Sequence, residues 1–266
     1  MKNKKIMIIG GTGALGVSLT NRWCDGNEIL IFSRNEHKQE NMKRQFPKAI
    51  YRIGDVKDKE SILRNMYEFK PDVIVNTAAL KTVWVAQDNP YETILTNIVG
   101  HQYLIDCVRE CRHQIETLMF ISTDKACSPV NVYGMSKSIA EQMYVNFAKQ
   151  QSDIKVALCR YGNVLDSTGS LIPVFKDMIQ SGVQSLPITN FDMTRFLITL
   201  NEAIDLGIFL GIKNERKLYK IKSFLNAKNK HVLVDIGSNI GSVTLPLAKL
   251  FNLSTIISIE PTNFAF

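Results

Sequence analysis

The sequence predicts an α/β protein built on a doubly wound parallel sheet. Two observations support this fold class: short runs of β-branched residues alternate with segments of helical period, and these runs contain few alternating polar residues. Such alternation predicts βαβ units, whose right-handed crossovers give a parallel sheet covered by helices on both faces. A chain of 266 residues with 45% hydrophobic content can bury the core that this fold needs.

Six strand-like runs are expected in the first 163 residues, and a stretch of helix length follows each of them. In chain order they read IMIIG, EILIFS, AIYRIGD, DVIVNTAA, TLMFIST and KVALCRYGN. A doubly wound sheet places its ligand site at the carboxyl ends of the strands. The residues that close each run are therefore the candidates for a functional site.

A glycine-rich loop, GGTGALG at residues 10–16, closes the first run and opens an amphipathic helix. Its backbone N–H groups and the helix dipole can face a pyrophosphate, and only glycine lets the main chain come that close. An accidental glycine motif is the alternative. The spacing resembles that of the short-chain dehydrogenase/reductase superfamily, which has a Rossmann-like sheet. A dinucleotide is expected to contact Gly10, Thr12, Gly13, Ala14, Leu15 and Gly16.

Ser33 and Arg34 close the second run, where an NAD enzyme would place an acid for the ribose 2′-hydroxyl. A guanidinium and a hydroxyl suit a 2′-phosphate, so the sequence predicts NADP as the cofactor. A surface arginine without a ligand is the alternative. The superfamily resemblance implies further cofactor contacts at the ends of the third and fourth runs, from Asp55, Val56, Asn76, Ala78 and Ala79.

Tyr133 and Lys137 stand four residues apart in VYGMSK, which places both on one face of a helix. The ammonium is expected to lower the pKa of the tyrosine and to hold the nicotinamide ribose, so that the phenol can act as a base near neutral pH. A chance pair at this spacing is common. Here it follows a strand that ends in Ser122-Thr123, in a chain that also carries the glycine loop, which indicates catalysis.

An acid and an amine, Asp124 and Lys125, stand side by side at the end of the fifth run. They are candidates for general acid and base catalysis. A structural salt bridge is the alternative for this pair.

The segment STDKACSPVNVYGMSK at residues 122–137 resembles the inverting UDP-N-acetylglucosamine 4,6-dehydratases, which make flagellar, capsular and O-antigen sugar precursors. AALKTVWVAQDNPYETILTNIVG upstream and RYGNVLDSTGSLIPVF and PITNFDMTRFLIT downstream extend the resemblance from residue 5 to about 211. Retaining relatives usually carry Asp-Glu where this chain has Asp124-Lys125, and membrane-anchored relatives replace the tyrosine by methionine. Both differences favour the soluble, C5-inverting branch.

The resemblance implies a lyase that uses NADP and a UDP-sugar substrate, and a homo-oligomer. Tyr133, assisted by Lys137 and Thr123, would take the O4 proton as hydride leaves C4. Lys125 would remove the C5 proton while Asp124 protonates the departing C6 hydroxyl, and hydride would return to C6. The expected product is UDP-2-acetamido-2,6-dideoxy-β-L-arabino-hex-4-ulose. Contacts to the sugar and the diphosphate are implied for Lys81, Asn163, Thr194 and Arg195.

The family continues well beyond the equivalent of MTRFLIT, whereas this chain changes character after Gly211. Three alternatives to an active dehydratase therefore stay open: a UDP-sugar 4-epimerase, a reductase, and a catalytically silent NADP-binding protein. The expected domains are a dehydratase domain at 1–212 with its substrate part truncated, a basic linker at 213–230, and a β-α-β fragment at 231–266.

The last of these segments, from HVLVDIGSNIG to STIISIEP, resembles the opening of an FkbM-type AdoMet-dependent methyltransferase. Extra packing without a ligand is the alternative. AdoMet binding is not expected from so short a fragment, because the cofactor pocket needs the rest of its sheet. A complete site would use Asp235, Gly237, Asn239, Gly241 and Glu260.

The net charge of +7 is concentrated in the expected linker, where seven Lys or Arg and one Glu give +6 and leave +1 for the rest. A solvated linker is favoured over a phosphate-binding patch, and no nucleic-acid partner is expected. Five cysteines without Cys-x-x-Cys spacing and four dispersed histidines predict no metal site. The first apolar run is interrupted by glycines, and no run approaches 18 apolar residues, so a cytoplasmic protein without a membrane partner is expected.

Overall fold

A computed structural model describes residues 1–111, 115–164, 171–187, 197–198, 232–236 and 255–259 of the chain. The chain divides into two compact units, Met1–Gly211 and Ile212–Phe266. Each unit is described by itself below.

The first unit contains a six-stranded sheet in the order β3-β2-β1-β4-β5-β6. All neighbouring strands are parallel. The strands are β1 (Lys5–Ile9), β2 (Glu28–Ser33), β3 (Ile50–Ile53), β4 (Val73–Asn76), β5 (Thr117–Ile121) and β6 (Lys155–Cys159). Each of the six predicted runs forms one of these strands, and the predicted fold class is confirmed. The strand order reverses between β1 and β4, which opens a crevice at the carboxyl edge of the sheet.

Helices connect the strands of this sheet. They are α1 (Ala14–Trp23), α2 (Glu36–Gln45), α3 (Lys59–Phe69), α4 (Val83–Asp88), α5 (Pro90–Ile94), α6 (Gly100–Glu110) and α7 (Val132–Gln150), and a further helix, α8 (Leu171–Gln180), follows the last strand. A π-helical turn at Leu95–Val99 joins α5 to α6, and a 3₁₀ turn at Asp124–Ala126 follows β5. A short parallel pair, β7 (Asn163–Val164) and β8 (Leu197–Ile198), lies outside the main sheet.

Apolar residues fill both faces of the sheet, as the scarcity of polar residues in the strands predicts. In β1, Ile6 and Ile8 belong to the core layer that contains Trp23 of α1, whereas Met7 and Ile9 belong to the opposite layer with residues of α3, α6 and α7. Burial of such a large apolar side chain contributes roughly 1.5–3 kcal/mol relative to its exposure. The two layers hold the helices against the sheet and fix the strand ends that carry the candidate site.

The helix N-termini differ in how they are capped. Asn35, Asp58 and Asn131 cap α2, α3 and α7 with side-chain oxygens that accept backbone N–H bonds. The corresponding position of α1 is Gly13, which offers no side-chain cap. The first N–H groups of α1 are therefore open to an external acceptor.

In the second unit, β9 (Val232–Ile236) pairs in parallel with β10 (Thr255–Ile259). These strands correspond to the two strand-like runs expected near the carboxyl end, and the segment between them lies outside the described residues. Among the helices in the described part of the chain, none is long and apolar enough to cross a bilayer.

Candidate cofactor and active site

The glycine-rich loop lies at the switch point of the sheet, between β1 and α1. Gly10 has a φ of +76°, and a Cβ on this residue would lie 2.7 Å from the backbone nitrogen of Ala78. The Gly10 N–H donates to the Phe32 carbonyl at 2.8 Å, which ties the loop to the end of β2. Glycine is therefore required here both by the left-handed backbone and by the close approach of the β4 loop.

The uncapped N-terminus of α1 directly follows this loop. It contains no acidic residue in its first turn, so its free N–H groups and positive dipole end can accept an anion. The main chain at this point fits the pyrophosphate of a dinucleotide. The predicted contacts at residues 10–16 lie together on this one turn and on the start of α1.

Ser33 and Arg34 lie at the end of β2 in different environments. The Ser33 side chain is buried and its Oγ accepts a hydrogen bond from Gln39 Nε2 at 3.0 Å. The same Gln39 amide also contacts the Arg52 carbonyl at 2.8 Å, so it joins β2 to β3. Arg34 is 59% exposed and lies 3.6 Å from Asp55 Oδ2. An exposed guanidinium is thus available beside the predicted adenine position, on a turn that Gln39 holds.

Asn76, at the end of β4, is fully buried. Its Oδ1 accepts from the Ala78 N–H at 3.1 Å, and its Nδ2 donates to Tyr144 at 3.1 Å and contacts His101 Nδ1 at 3.3 Å. His101 Nε2 in turn donates to the Ala78 carbonyl at 3.3 Å. Asn76 therefore holds the backbone of the predicted cofactor loop, while Ala78 and Ala79 are partly exposed.

The imidazole of His101 is held neutral by its surroundings. Burial, with a smaller contribution from the Lys137 ammonium, lowers its pKa to about 3, although the bond to the Ala78 carbonyl opposes both effects. Because Nε2 donates and Nδ1 accepts, the hydrogen-bond pattern also fits a neutral ring.

Asn97, in the π-helical turn, holds the same loop from the other side. Its amide accepts from the Leu80 N–H at 2.9 Å and donates to the Leu80 carbonyl and to Ser136 Oγ, each at 3.0 Å. Ser136 belongs to α7 and donates to the Tyr133 carbonyl at 2.8 Å. The loop after β4 is therefore fastened to the helix that carries Tyr133, through residues that the sequence analysis did not single out.

The acid and the amine predicted after β5 form an ion pair. Lys125 Nζ lies 3.0 Å from Asp124 Oδ1 and 2.9 Å from Asn163 Oδ1, and the Thr123 hydroxyl donates to Asp124 Oδ1 at 2.8 Å. Asp124 and Lys125 are each 30% exposed at the side chain. Four of the predicted site residues are thus joined by hydrogen bonds at the edge of the crevice.

Tyr133 lies in the first turn of α7 and is 8% exposed. Burial raises its pKa to about 12, the bond with the Thr123 hydroxyl opposes this shift, and the Asp124 carboxylate adds to it. This direction is opposite to the lowering that the sequence analysis expected from the lysine, because the loss of solvation dominates. Tyr133 is nevertheless placed beside Thr123 and Asp124, as predicted.

Lys137, one turn later, is buried at 4% exposure. Its Nζ donates to the Ile121 carbonyl at 2.9 Å and lies 4.7 Å from the centroid of the Phe120 ring. Burial lowers its pKa to about 7, and the Glu141 carboxylate opposes this shift. The lysine therefore reaches the end of β5 immediately before the residues of the ion pair.

Gly134 lets α7 approach the turn after β5. A Cβ on this glycine would collide with the Lys125 carbonyl oxygen. The glycine between Tyr133 and the rest of the helix is therefore a structural requirement of the site, although its only sequence signal is its position in the first helical turn.

Lys81, predicted to bind the substrate, lies on the exposed loop between β4 and α4. Thr194 and Arg195, predicted to contact the nucleotide diphosphate, lie outside the described residues. The same holds for the expected linker at 213–230 and for Gly237, Asn239, Gly241 and Glu260, whereas Asp235 lies in β9.

Residues 6–217 match the family described as polysaccharide biosynthesis protein. The chain belongs to this polysaccharide biosynthesis family. The match covers the six-stranded sheet from Ile6 onwards and every residue of the site geometry given above.

Two curated relatives of this chain are named for different activities. The UDP-N-acetylglucosamine 4,6-dehydratase (inverting) of Campylobacter jejuni is 41% identical over 212 residues, which are 77% of this chain and 62% of that protein. The UDP-glucose 4-epimerase of Rickettsia canadensis is 37% identical over 78% of this chain and 62% of its own length. The chain therefore spans about three fifths of the length of both relatives.

Among solved structures, that of Pen from Bacillus thuringiensis superposes with a TM-score of 0.72 and 33% identity, and the alignment covers 78% of this chain and 66% of that one. The chain is therefore similar to Pen in both fold and sequence.

Proposed function

We propose that the chain carries the catalytic part of an NADP-dependent, C5-inverting UDP-N-acetylglucosamine 4,6-dehydratase. The observation that carries this proposal is the Asp124–Lys125 pair, joined at 3.0 Å at the edge of the crevice beside Thr123 and Tyr133. The name of the Campylobacter jejuni relative supports the same activity. Because the chain spans 62% of that relative, the activity of the whole protein belongs to this proposal.

Elimination across C5 and C6 needs a base and an acid on the same hexose. As an ion pair, Lys125 lacks the free amine of a base and Asp124 lacks the proton of an acid. Transfer of one proton across their hydrogen bond produces both groups at once, a neutral amine and a carboxylic acid. Lys125 can then take the C5 proton, and Asp124 can protonate the C6 hydroxyl as it leaves as water.

Asn163 is suited to orient this pair. Its Oδ1 accepts a hydrogen bond from Lys125 Nζ at 2.9 Å. Because the amide is neutral, it orients the lysine without holding it in the charged form. Since Asn163 also lies at the open edge, we assign it a contact with the substrate, together with Lys81. Thr194 and Arg195 are proposed to bind the nucleotide diphosphate, for which a guanidinium is well suited.

Tyr133 is the proposed base for the O4 hydroxyl. Its high pKa means that the phenolate must be stabilised when it forms. The groups for this are the Lys137 ammonium and the Thr123 hydroxyl, whose single proton would turn from Asp124 Oδ1 to the phenolate oxygen. A bound NADP would supply reversible hydride transfer, from C4 and back to C6, and would be unchanged over the cycle. The enolate left by the return of hydride would take a proton from solvent at C5, on the face opposite to the one that lost its proton, which gives the inverted configuration. Lys137 would also hold the ribose beside the nicotinamide.

The cofactor would be held by the uncapped α1 N-terminus and the glycine loop at its pyrophosphate and by Arg34 at its 2′-phosphate. Arg34 is exposed and shares its position with Asp55, so a phosphate could compete with that carboxylate for the guanidinium. Ser33, whose Oγ accepts a hydrogen bond from Gln39, would donate its hydroxyl proton to the same phosphate. Val56, Asn76, Ala78 and Ala79 are proposed to complete the pocket.

A UDP-sugar 4-epimerase is the second candidate, and the name of the Rickettsia canadensis relative favours it. Epimerisation at C4 needs the tyrosine and the cofactor but no acid and base at C5 and C6. The Asp124–Lys125 pair therefore favours dehydration over epimerisation and over simple reduction.

The test is to incubate the protein with UDP-N-acetylglucosamine and NADP in deuterium oxide and to follow the sugar by mass spectrometry. Loss of one water without net cofactor reduction, with deuterium at C5 and the L-arabino configuration, is the expected result. A product of unchanged mass and inverted C4 would establish the epimerase, and unchanged substrate with tight NADP binding would indicate a silent protein.

Three further assignments from the sequence stay predictions. The homo-oligomeric state can be measured by light scattering on the purified chain. The methyltransferase-like character of residues 231–266 can be measured by AdoMet titration, for which no binding is expected. The cytoplasmic location, without membrane or nucleic-acid partners, can be examined by cell fractionation.

A further inference from the structure

Glu141 is a buried carboxylate that the reaction described above does not use. It lies on α7, one helical turn beyond Lys137 and two turns beyond Tyr133, and its side chain is 6% exposed. Its Oε1 accepts a hydrogen bond from the Ser122 hydroxyl and another from Arg160 Nε at 2.8 Å, and its Oε2 accepts one from Arg160 Nη2 at 2.5 Å. Both oxygens of the buried carboxylate are engaged by these two donor residues, so its position is fixed.

The two donors come from two different strand ends. Ser122 directly follows β5 and precedes the Thr123–Lys125 turn, and Arg160 directly follows β6. The two chain segments remain hydrogen-bonded beyond the strands, through Ser122 N–H to the Cys159 carbonyl at 2.7 Å and Asp124 N–H to the Tyr161 carbonyl at 3.1 Å. Glu141 therefore fastens α7 to both segments just before they reach the ion pair.

Lys137, on the same helix, also donates a hydrogen bond to the end of β5, at the Ile121 carbonyl. The titratable groups around this lysine in the described residues are Glu141 and Tyr133, one turn away on either side of it on its own helix, and His101 on α6, while the Phe120 ring of β5 lies beside it. Since His101 is neutral, the raised pKa keeps Tyr133 neutral in the resting site and Phe120 carries no charge, Glu141 supplies the negative charge that acts on the buried ammonium.

We propose that Glu141 is a positioning residue of the site, which fixes α7 on the ends of β5 and β6 and keeps the Lys137 side chain cationic at the end of β5. The part of this proposal that concerns the reaction rests on the proposed function. The part that concerns the charge of Lys137 does not require any substrate or cofactor.

The charge of the Lys137 side chain is tested directly by NMR on the protein labelled with [6-¹³C]lysine. The Lys137 signal is identified by its loss in Lys137→Met, and in the unsubstituted protein it is expected to titrate near the pKa of about 7. Glu141→Gln keeps the hydrogen-bonding shape but removes the charge, so the pKa of Lys137 should fall by about one unit. Glu141→Asp keeps the charge and should leave that pKa close to its original value.

Arg160→Met gives the opposite result, because the guanidinium offsets part of the Glu141 charge. Its side chain is 44% exposed, so its removal should not prevent folding, and the pKa of Lys137 should rise. Glu110→Gln is the matched control: Glu110 lies 2.9 Å from Lys59 in a surface pair, and its loss should leave Lys137 unchanged.

An unmoved Lys137 titration in a cooperatively folded Glu141→Gln protein would overturn the proposal and reduce Glu141 to a packing role. If Glu141→Gln does not fold, a fall or no change of the Lys137 pKa in Arg160→Met overturns it equally, provided that the ¹³C signal of the Glu141 carboxyl shows that this carboxyl is still ionised in that variant. Failure of the proposed function is recognised separately, since it appears as absence of dehydration by the unsubstituted protein while the NMR shifts persist. In an active protein, the alkaline limb of kcat should move to lower pH in Glu141→Gln.

Discussion

The two halves of the sheet's carboxyl edge present different chemical groups to the crevice. On the β1–β3 side, the surfaces offered to a ligand are the backbone of the glycine loop, the uncapped N-terminus of α1 and the exposed Arg34. On the β4–β6 side, the groups are ionisable side chains that are largely removed from water, among them Lys137, Glu141 and His101.

This difference separates recognition from chemistry. Backbone N–H groups do not titrate, so the β1–β3 half can bind phosphates in the same way over a wide range of pH. The buried side chains of the β4–β6 half have pKa values that their neighbours set, which makes them adjustable acids and bases but also sensitive to pH. Substitutions in the two halves should therefore affect binding and turnover separately.

The largest separation is expected from Lys125→Ala. Loss of the proposed base should reduce dehydration by about 10³-fold, within the range for a positioned acid or base, while NADPH affinity stays unchanged. The measurements are product formation by mass spectrometry and NADPH fluorescence.

Lys57→Ala is the matched control for Lys125→Ala. Lys57 forms a 2.9 Å surface pair with Glu92, so its loss removes the same charge without touching the ion pair of the site. Full activity is expected from this variant. Retained elimination in Lys125→Ala would refute the role of Lys125 as the base.

Gly10→Ala, in contrast to Lys125→Ala, should weaken NADPH binding. The added Cβ would lie 2.7 Å from Ala78 N on a backbone with φ +76°, so the loop must move. Strain of roughly 2.7 kcal/mol would weaken NADPH binding by about 100-fold. The measurement is again NADPH fluorescence, accompanied by thermal unfolding.

Gly26→Ala supplies a control with the same backbone strain but without the collision. Gly26 has a φ of +90°, and its nearest neighbour is the Lys2 side chain at 3.6 Å. This variant should lose some stability and no NADPH affinity. Equal losses of affinity in both variants would show that strain alone, and not the contact with the β4 loop, explains the requirement at Gly10.

The sequence could predict the β1–β3 half almost completely, because its function lies in local main-chain geometry. The glycine loop, the strand before it and the helix after it are contiguous, so their spacing carries the information. The meeting of residues 123–125 with Tyr133 was also predictable, since the carboxyl ends of parallel strands share one edge of the sheet.

The supporting residues of the β4–β6 half were not predictable in the same way. Asn97 and Glu141 act through contacts with residues on other elements, and Gly134 acts through the approach of its helix to the turn at Lys125. Their residue types are equally common on surfaces. The pKa of Tyr133 was expected in the wrong direction for a related reason. Sequence spacing gives the distance to a lysine on the same helix, but it does not give the depth of burial, which dominates here.

A smaller effect is expected from Arg34→Ala in the β1–β3 half. Loss of a charge-assisted bond to the 2′-phosphate should weaken NADP binding by about 10-fold and leave NAD binding unchanged. Isothermal titration with both nucleotides measures the ratio. Equal weakening of NADP and NAD would place Arg34 away from the 2′-phosphate and would remove the basis for the cofactor preference.

The smallest effect concerns the stability of the β4–β6 half in acid. The folded chain holds the pKa of His101 at about 3, whereas the unfolded chain takes up this proton near the usual value of 6.5. Because only the unfolded chain binds this proton between these pH values, the contribution of His101 to the free energy of unfolding is fully present above pH 6.5. It is lost progressively as the pH falls towards 3. Between pH 7 and 5.5 the loss from this group alone should be about 1 kcal/mol.

Chemical denaturation at both pH values measures this loss, and His101→Gln should remove it while His37→Gln, on the exposed start of α2, should not. If His101→Gln does not fold, NMR of the unsubstituted protein decides instead, because the imidazole should remain neutral at pH 5. Protonation of Nδ1 would set a donor against the Asn76 Nδ2 donor at 3.3 Å, and Asn76 cannot turn its oxygen towards the ring without losing the bond to Ala78. A His101 titration near pH 6.5 would therefore mean that this hydrogen-bonded network is not formed, and with it the support of the loop after β4.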